Sequence, residues 1–171
     1  MDKIETVFTR SERSGGSKAE AYKDAAASLE AILEGETDPV ANLANASALL
    51  AAALPKINWC GFYVLRGEQL VLGPFQGKPA CVRIALGKGV CGTAAVRRET
   101  LVVPDVTVFP GHIACDAASR SEIVVPIVAG GRLAGVLDVD APETNRFDDE
   151  DRAGLEAFVA ALAPRIDWGR L

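Results

Sequence analysis

The residues of this chain best suited to nucleophilic or redox chemistry are four cysteines, Cys60, Cys81, Cys91 and Cys115. The last three lie ten and 24 residues apart, a spacing that matches neither a C-x-x-C zinc knuckle nor a C-x-x-C redox motif. No metal site is therefore expected from the cysteines. Four cysteines are also few for a disulfide-stabilised secreted domain, which favours a chemical role for some of them.

Cys60 and Cys115 stand in opposite kinds of sequence. Cys60 lies between Trp59 and Gly61 in an apolar run, which is typical of a buried core cysteine. Cys115 lies in an irregular polar segment beside Asp116. A loop thiol among polar groups is a candidate nucleophile.

Cys91 follows a glycine-rich segment. Gly87, Gly89 and Gly92 spell G-x-G-x-x-G, but the surrounding chain is not the βαβ unit that a dinucleotide-binding turn needs. We expect a tight strand-to-helix turn instead. Cys91 would then lie near a helix N-terminus, where the helix dipole favours a thiolate.

Three carboxylates form a second candidate group. Asp138 and Asp140 are two residues apart in the apolar sequence GVLDVD, so both are expected on one face of a strand. Glu122 begins the run predicted to pair with that strand. If this face lined a pocket, the carboxylates would raise one another's pKa and one could hold a proton at neutral pH. The alternative is a set of solvated strand ends, but the apolar neighbours favour a pocket.

An aromatic pair and a histidine complete the candidates. Trp59 and Tyr63 are four residues apart on a predicted strand and share a face, either as core residues or as a pocket wall. His112 stands three residues before Cys115, so it is either an activating base or a hydrogen-bonded loop residue. It is the only histidine, which excludes a site built from several imidazoles.

The elements that position these residues follow from the hydrophobic pattern. Helices are predicted at 17–34 and 39–53, the first with a Ser17/Glu20 capping box and the second with Asp38 as N-cap. Residues 59–103 are predicted to form a hairpin of strands 59–65 and 70–75, a strand at 82–85, a short helix after the glycines and a strand at 100–103. After an irregular segment at 104–120, we expect a hairpin of strands 121–128 and 132–140 and a helix at 148–163.

This order predicts an α+β fold. Strands joined by tight turns form an antiparallel sheet, and the helices are expected to pack on one of its faces. We expect a flexible N-terminal segment at 1–16, a single domain at 17–163 and a C-terminal tail at 164–171.

Composition narrows the class of protein. The chain has 171 residues, 49% of them hydrophobic, and a net charge of −5, so nucleic-acid and membrane partners are not expected. The polar start lacks the apolar core of a secretory signal. The longest apolar run, 46–54, is well short of the roughly 20 residues that cross a bilayer. A cytoplasmic location is expected.

Four segments closely resemble the free methionine-R-sulfoxide reductases, a family of single GAF-domain enzymes. They are NWCGFYVL at 58–65, GPFQGKPACVRIALGKGVCGTAA at 73–95, DVTVFPGHIACDAASRSEIVVPI at 105–127 and GVLDVD at 135–140. The resemblance covers about residues 17–162, and the three-cysteine pattern with FPGHIACD is its most specific part. It implies a GAF-type antiparallel sheet. Cys60 departs from the family pattern.

The resemblance also implies roles for the candidate residues. Cys115 would be the catalytic cysteine, with Cys91 and Cys81 as the recycling thiols. Glu122, Asp138 and Asp140 match the pocket carboxylates of the family. Trp59 and Tyr63 match its aromatic wall. Glu122 and Asp140 would serve in catalysis as well as in substrate binding.

The implied reaction is the reduction of free methionine-R-sulfoxide without a cofactor. A thiolate attacks the sulfoxide sulfur, a carboxylic acid protonates the departing oxygen, and a second thiol converts the sulfenic acid to a disulfide. Thioredoxin or a similar dithiol would reduce that disulfide, and a homodimer is implied. Two alternatives are a non-catalytic GAF module that binds a small ligand and a thiol redox sensor. The residues leave open which of Cys81 and Cys91 reacts first.

Overall fold

The computed structural model describes residues 17–113 and 116–171. Its helices are α1 (Lys18–Leu33), α2 (Pro39–Ala53), α3 (Gly89–Arg97) and α4 (Asp149–Leu162). Its strands are β1 (Trp59–Arg66), β2 (Gln69–Gln76), β3 (Arg83–Ala85), β4 (Leu101–Val103), β5 (Ser121–Ala129) and β6 (Arg132–Ala141). Every predicted helix and strand is present, with ends within two residues of the prediction.

The six strands form one antiparallel sheet in the order β3-β2-β1-β6-β5-β4. The two predicted hairpins, β1–β2 and β5–β6, are joined in the middle by the pairing of β1 with β6. This arrangement confirms the predicted α+β class with an antiparallel sheet.

The three long helices α1, α2 and α4 pack on one face of the sheet and bury the larger core. Local signals explain where they start. Ser17 and Glu20 form the predicted capping box at α1, and the Asp38 side chain accepts a hydrogen bond from the Ala41 N–H at α2. Asp148 caps α4 in a similar way. In the described part of the chain, none of the helices has the length and apolar character needed to span a membrane.

The short helix α3 packs on the opposite face of the sheet and covers a second, smaller core. The expectation that helices lie on one face therefore describes α1, α2 and α4 but not α3. A nine-residue helix rich in Ala and Gly has too weak an apolar stripe to indicate which face it covers. The face beneath α3 is the one that carries the candidate site.

Residues 164–171, predicted as a tail, contain parts of two 3₁₀ turns, at Ala163–Arg165 and Trp168–Arg170. Ile166 is buried in the larger core, and the Trp168 indole N–H donates a 2.9 Å hydrogen bond to the Ala163 carbonyl. Residues 1–16, predicted as a flexible segment, lie outside the described residues. The division of the chain into segments stays a prediction.

A partly buried ion-pair network joins the first helix to the last. The Lys18 ammonium lies 2.7 Å from Asp148 and 2.8 Å from Asp151. The fully buried Asp151 also accepts hydrogen bonds from the Tyr22 hydroxyl, at 2.8 Å, and from Arg146, at 3.1 Å. Together with the Asp148 backbone N–H, at 3.0 Å, these three side chains satisfy a charge that would otherwise be costly to bury.

Candidate active site

The three candidate carboxylates lie side by side on the face of the sheet opposite the long helices. Asp140 on β6 pairs directly with Glu122 on β5, and Asp138 stands two residues earlier on the same face. Each residue is only 5–6% exposed. The prediction of a shared face is confirmed, and the alternative of solvated strand ends does not apply.

These carboxylates line a cavity of about 340 Å³, its open mouth included. The first residues of α3 and several residues between 112 and 119 complete its lining. The space free for the centre of a water molecule is only about 20 Å³, room for about one water. The described residues therefore hold the carboxylates in a nearly filled pocket.

Burial is the largest cause that raises the pKa of all three carboxyls well above ordinary values. The next cause is mutual repulsion, because Asp140 acts on Glu122, Glu122 acts on Asp138, and Asp138 acts on Asp140. Such close groups cannot all ionise cheaply, so they titrate as a set.

Cys91 is the third residue of α3, and its thiol donates to Oε1 of Glu122 across 3.8 Å. Burial, followed by the charge of Asp138, raises the pKa of this thiol well above its ordinary value. The expectation that the helix N-terminus favours a thiolate is wrong here. Desolvation and the neighbouring carboxylates outweigh the helix dipole.

The glycine-rich segment forms the expected tight turn that brings Cys91 to the cavity. Gly87 and Gly89 have left-handed backbone angles, with φ of +78° and +60°. A Cβ at Gly92 would lie 2.4 Å from the Ala85 carbonyl oxygen. The motif thus serves a close approach of helix to strand.

Trp59 and Tyr63 share the cavity face of β1, as predicted, and stack with ring centroids 5.9 Å apart. Phe75 extends the stack on the other side of Trp59, at 5.2 Å. The Trp59 indole donates to the Lys78 carbonyl and the Tyr63 hydroxyl donates to the Cys81 carbonyl. Both rings belong to the smaller core and do not line the cavity itself.

His112 faces Glu122, with Nε2 lying 3.6 Å from Oε2. This separation is longer than a hydrogen bond. Burial lowers the pKa of the imidazole, which favours its neutral form. Its predicted alternative role, the activation of Cys115, stays a prediction.

The loop that follows Cys115 is anchored to the start of β1. The Asn58 side-chain amide donates to Asp116 and to Ser119, both at 3.1 Å, and Lys78 lies 3.4 Å from Asp116. Ser119 also hydrogen-bonds the carboxyl of Asp140. Sequence reasoning missed Asn58 and Ser119, because a polar residue in a loop gives no signal of the partner it meets in the fold.

Cys60, Cys81 and Cys91 lie in different parts of the fold. Cys91 lines the cavity, Cys81 is half-buried between β2 and β3 outside the cavity lining, and Cys60 is fully buried in the larger core. These three carry free thiols. Cys115 lies outside the described residues, but Ile113 and Asp116, on either side of it in sequence, line the cavity.

Comparison with known proteins agrees with this geometry. The GAF domain model matches residues 28–166, so the chain belongs to the GAF domain family. It is 55% identical over 145 residues to the free methionine-R-sulfoxide reductase of Escherichia coli, an alignment covering 85% of this chain and 88% of the relative. Protein YtsP of Bacillus subtilis is also 55% identical, over 153 residues, covering 88% and 94%.

A solved structure extends the comparison. The X-ray structure of free methionine-R-sulfoxide reductase from Neisseria meningitidis in complex with its substrate superposes with a TM-score of 0.87 at 44% identity, covering 92% of this chain and 95% of that one. Within the GAF family, the chain therefore belongs to the free methionine-R-sulfoxide reductases.

Proposed function

We propose that this protein reduces free L-methionine-(R)-S-oxide to L-methionine with its own thiols as the immediate reductant. The observation that carries the proposal is the cluster of three buried carboxylates with a thiol around one small cavity. The relatives that bear the name of this activity support it. A regulatory module without catalysis has no need of such a costly arrangement of buried acids.

The carboxylates around the cavity suit the ammonium end of the amino-acid substrate. The Oδ1 atom of Asp138 is buried and accepts no hydrogen bond from any described residue. A substrate ammonium group would supply the missing donor and offset the buried negative charge. The burial of all three carboxyls favours a free amino acid over a peptide. We assign Glu122, Asp138 and Asp140 to substrate binding.

Glu122 and Asp140 also suit the chemical step. When the sulfoxide sulfur is attacked, its oxygen must be protonated before it can leave, and a carboxylic acid that is neutral at physiological pH can donate that proton. Burial and mutual repulsion raise the pKa of both groups. This supports their assignment as the proton source.

The redox steps are assigned to the cysteines. The Cys115 thiolate attacks the sulfoxide sulfur, the oxygen passes to Cys115 as a sulfenic acid, and methionine leaves with two more electrons than the sulfoxide. The thiol of Cys91 or Cys81 then condenses with the sulfenic acid, which forms a disulfide and releases water. Thioredoxin or a similar dithiol reduces that disulfide by exchange. Such a cycle fits a reducing cytoplasm.

The aromatic stack of Trp59 and Tyr63 lies in the smaller core behind the present cavity lining. We assign it to the methyl end of the substrate, a contact that requires the lining residues to move. An apolar ring face provides favourable contacts for a methyl group and for sulfur. The stack lies on the strand next to the carboxylates, which supports the assignment. A homodimer, implied by the family resemblance, belongs to the same proposal, and sedimentation would test it.

The experiment that tests the proposal is steady-state turnover of four substrates with a dithiol present. We expect a strong preference for the free R epimer over the free S epimer, N-acetyl-methionine-R-sulfoxide and a peptide that contains the sulfoxide, because the blocked substrates lack the ammonium group. Equal rates on the free and N-acetylated R epimers would contradict the assignment of the acids to the ammonium. No turnover of any sulfoxide, with peroxide oxidising the thiols, would favour the redox-sensor alternative.

A further inference from the structure

The candidate site brings together a thiol and two carboxylates in a way that the linear spacing of the cysteines does not indicate. Cys91 comes from the first turn of α3, Glu122 from β5 and Asp138 from β6. One ligand atom from each residue, the thiol sulfur and two carboxylate oxygens, lies within 4.8 Å of the others. All three residues are buried.

The separations are close to those of a metal coordination sphere. A tetrahedral zinc ion with bonds of about 2.0 Å to oxygen and 2.3 Å to sulfur sets its ligands about 3.3 to 3.5 Å apart. Sγ of Cys91 and Oε1 of Glu122 are already 3.8 Å apart. Rotation of the Glu122 and Asp138 side chains can supply the remaining adjustment.

One buried polar atom of this cluster has no hydrogen-bond partner among the described residues. Asp138 is 5% exposed, and its Oδ1 accepts no hydrogen bond from them although the residue lines the cavity. A buried acceptor without a partner is unfavourable. A bound cation would remove that cost.

We propose that Cys91, Glu122 and Asp138 form a binding site for Zn²⁺ or a similar thiophilic divalent cation. Three protein ligands leave the fourth tetrahedral position to water, which the open cavity supplies. The thiolate ligand selects zinc and cadmium over magnesium and calcium, which prefer oxygen-only sites. His112, whose Nε2 is 3.6 Å from the other Glu122 oxygen, lies outside the coordination sphere.

Binding is an exchange of protons for a metal ion, without any change of oxidation state. The Cys91 thiol loses its proton to solvent as the sulfur–metal bond forms, and any proton held by the two carboxyls leaves in the same way. The metal would occupy two residues assigned to substrate binding and a recycling thiol. It would therefore inhibit the reductase reversibly, a consequence that rests on the proposed function, whereas the binding site itself does not.

The test uses Cd²⁺ as the probe, since a thiolate bound to cadmium gives a charge-transfer absorption band. The full chain carrying Cys81→Ser and Cys115→Ser retains Cys91 and Cys60 as its thiols, and it is titrated without oxygen or added thiol. We expect a band that saturates at one equivalent and that Zn²⁺ abolishes by competition. Adding Cys91→Ser should remove the band, and Asp138→Asn or Glu122→Gln should weaken binding at least about tenfold.

Cys60→Ala is the matched control, because Cys60 is equally buried but belongs to the core beneath the long helices. The band should survive this change in a protein whose circular dichroism is unaltered. A band that persists in the Cys91→Ser variant, or affinity unchanged in both folded carboxamide variants, would overturn the site. If the wild-type protein binds cadmium but reduces no sulfoxide, the result supports the metal site and contradicts the proposed function.

Discussion

Glu122, Asp138 and Asp140 line one cavity because side chains alternate along a strand and because β5 pairs with β6 in a register that sets Glu122 opposite Asp140. The period of two was visible in the sequence, so this part of the site could be predicted. The raised pKa of Cys91 could not be predicted, because it depends on burial in the fold and then on carboxylates 31 or more residues away in sequence. Asn58 and Ser119 were missed for the same reason.

At the residue scale, the carboxylates yield a prediction for the chemical step. Glu122→Gln and Asp140→Asn keep the size and polarity of the side chain but remove the proton donor. Single-turnover release of methionine should slow by about 10²- to 10⁴-fold in each variant, the usual contribution of general acid catalysis. Glu143→Gln is the control, because Glu143 is exposed and pairs with Lys56 at the surface. Wild-type rates in both folded amide variants would remove these residues from catalysis.

At the scale of elements, caps, turns and the hydrophobic period predicted where the helices and strands end. The short turns between apolar runs predicted the hairpins. The sequence did not predict which face of the sheet α3 covers. On that face α3 approaches the end of β3 at Gly92, where no room exists for a side chain. A single sequence shows the glycine but not the strand it approaches.

This contact gives a prediction for the turn that carries Cys91. Gly92→Ala would place a Cβ 2.4 Å from the Ala85 carbonyl oxygen, which is backbone, so α3 must shift. We expect a loss of about 1–3 kcal/mol in the free energy of unfolding, the usual cost of overpacking, and reduced turnover. Urea denaturation and steady-state assays measure the two effects. Val96→Ala, on the exposed side of α3, should change neither. Unaltered stability in Gly92→Ala would show that the turn adapts freely.

At the scale of the whole molecule, the helical layer is closed by contacts between α1 and α4, which are distant in sequence. Lys18 bridges Asp148 and the buried Asp151. The hydrogen bond from Lys18 is the largest cause that lowers the pKa of Asp148, to about 2. A carboxyl whose pKa is lowered by folding stabilises the fold above its unfolded pKa, about 3.9, and loses that contribution as the pH falls towards 2.

Asp148→Asn tests this contact, because asparagine still caps the helix while the charge is lost. Since Asp148 is mostly exposed, we expect a destabilisation of a few tenths to about 1 kcal/mol at pH 7. The difference from the wild type should shrink below pH 4 and disappear near pH 2. Asp149→Asn is a matched control at the next position. Urea denaturation across this range measures the effect, and a difference that stays constant with pH would contradict the assigned ion pair.

The central claim is that cysteines of this chain take the oxygen atom of free methionine sulfoxide and are oxidised to a disulfide. The most direct measurement adds one equivalent of the R epimer to the reduced protein, without any other reductant, and maps the cysteines by mass spectrometry. We predict one methionine per chain and a disulfide from Cys115 to Cys91 or Cys81. Cys115→Ser should release none, and Cys91→Ser should release about one before it stalls. Methionine release by the Cys115→Ser variant, or a wild-type protein whose four thiols all remain reduced, would contradict the account.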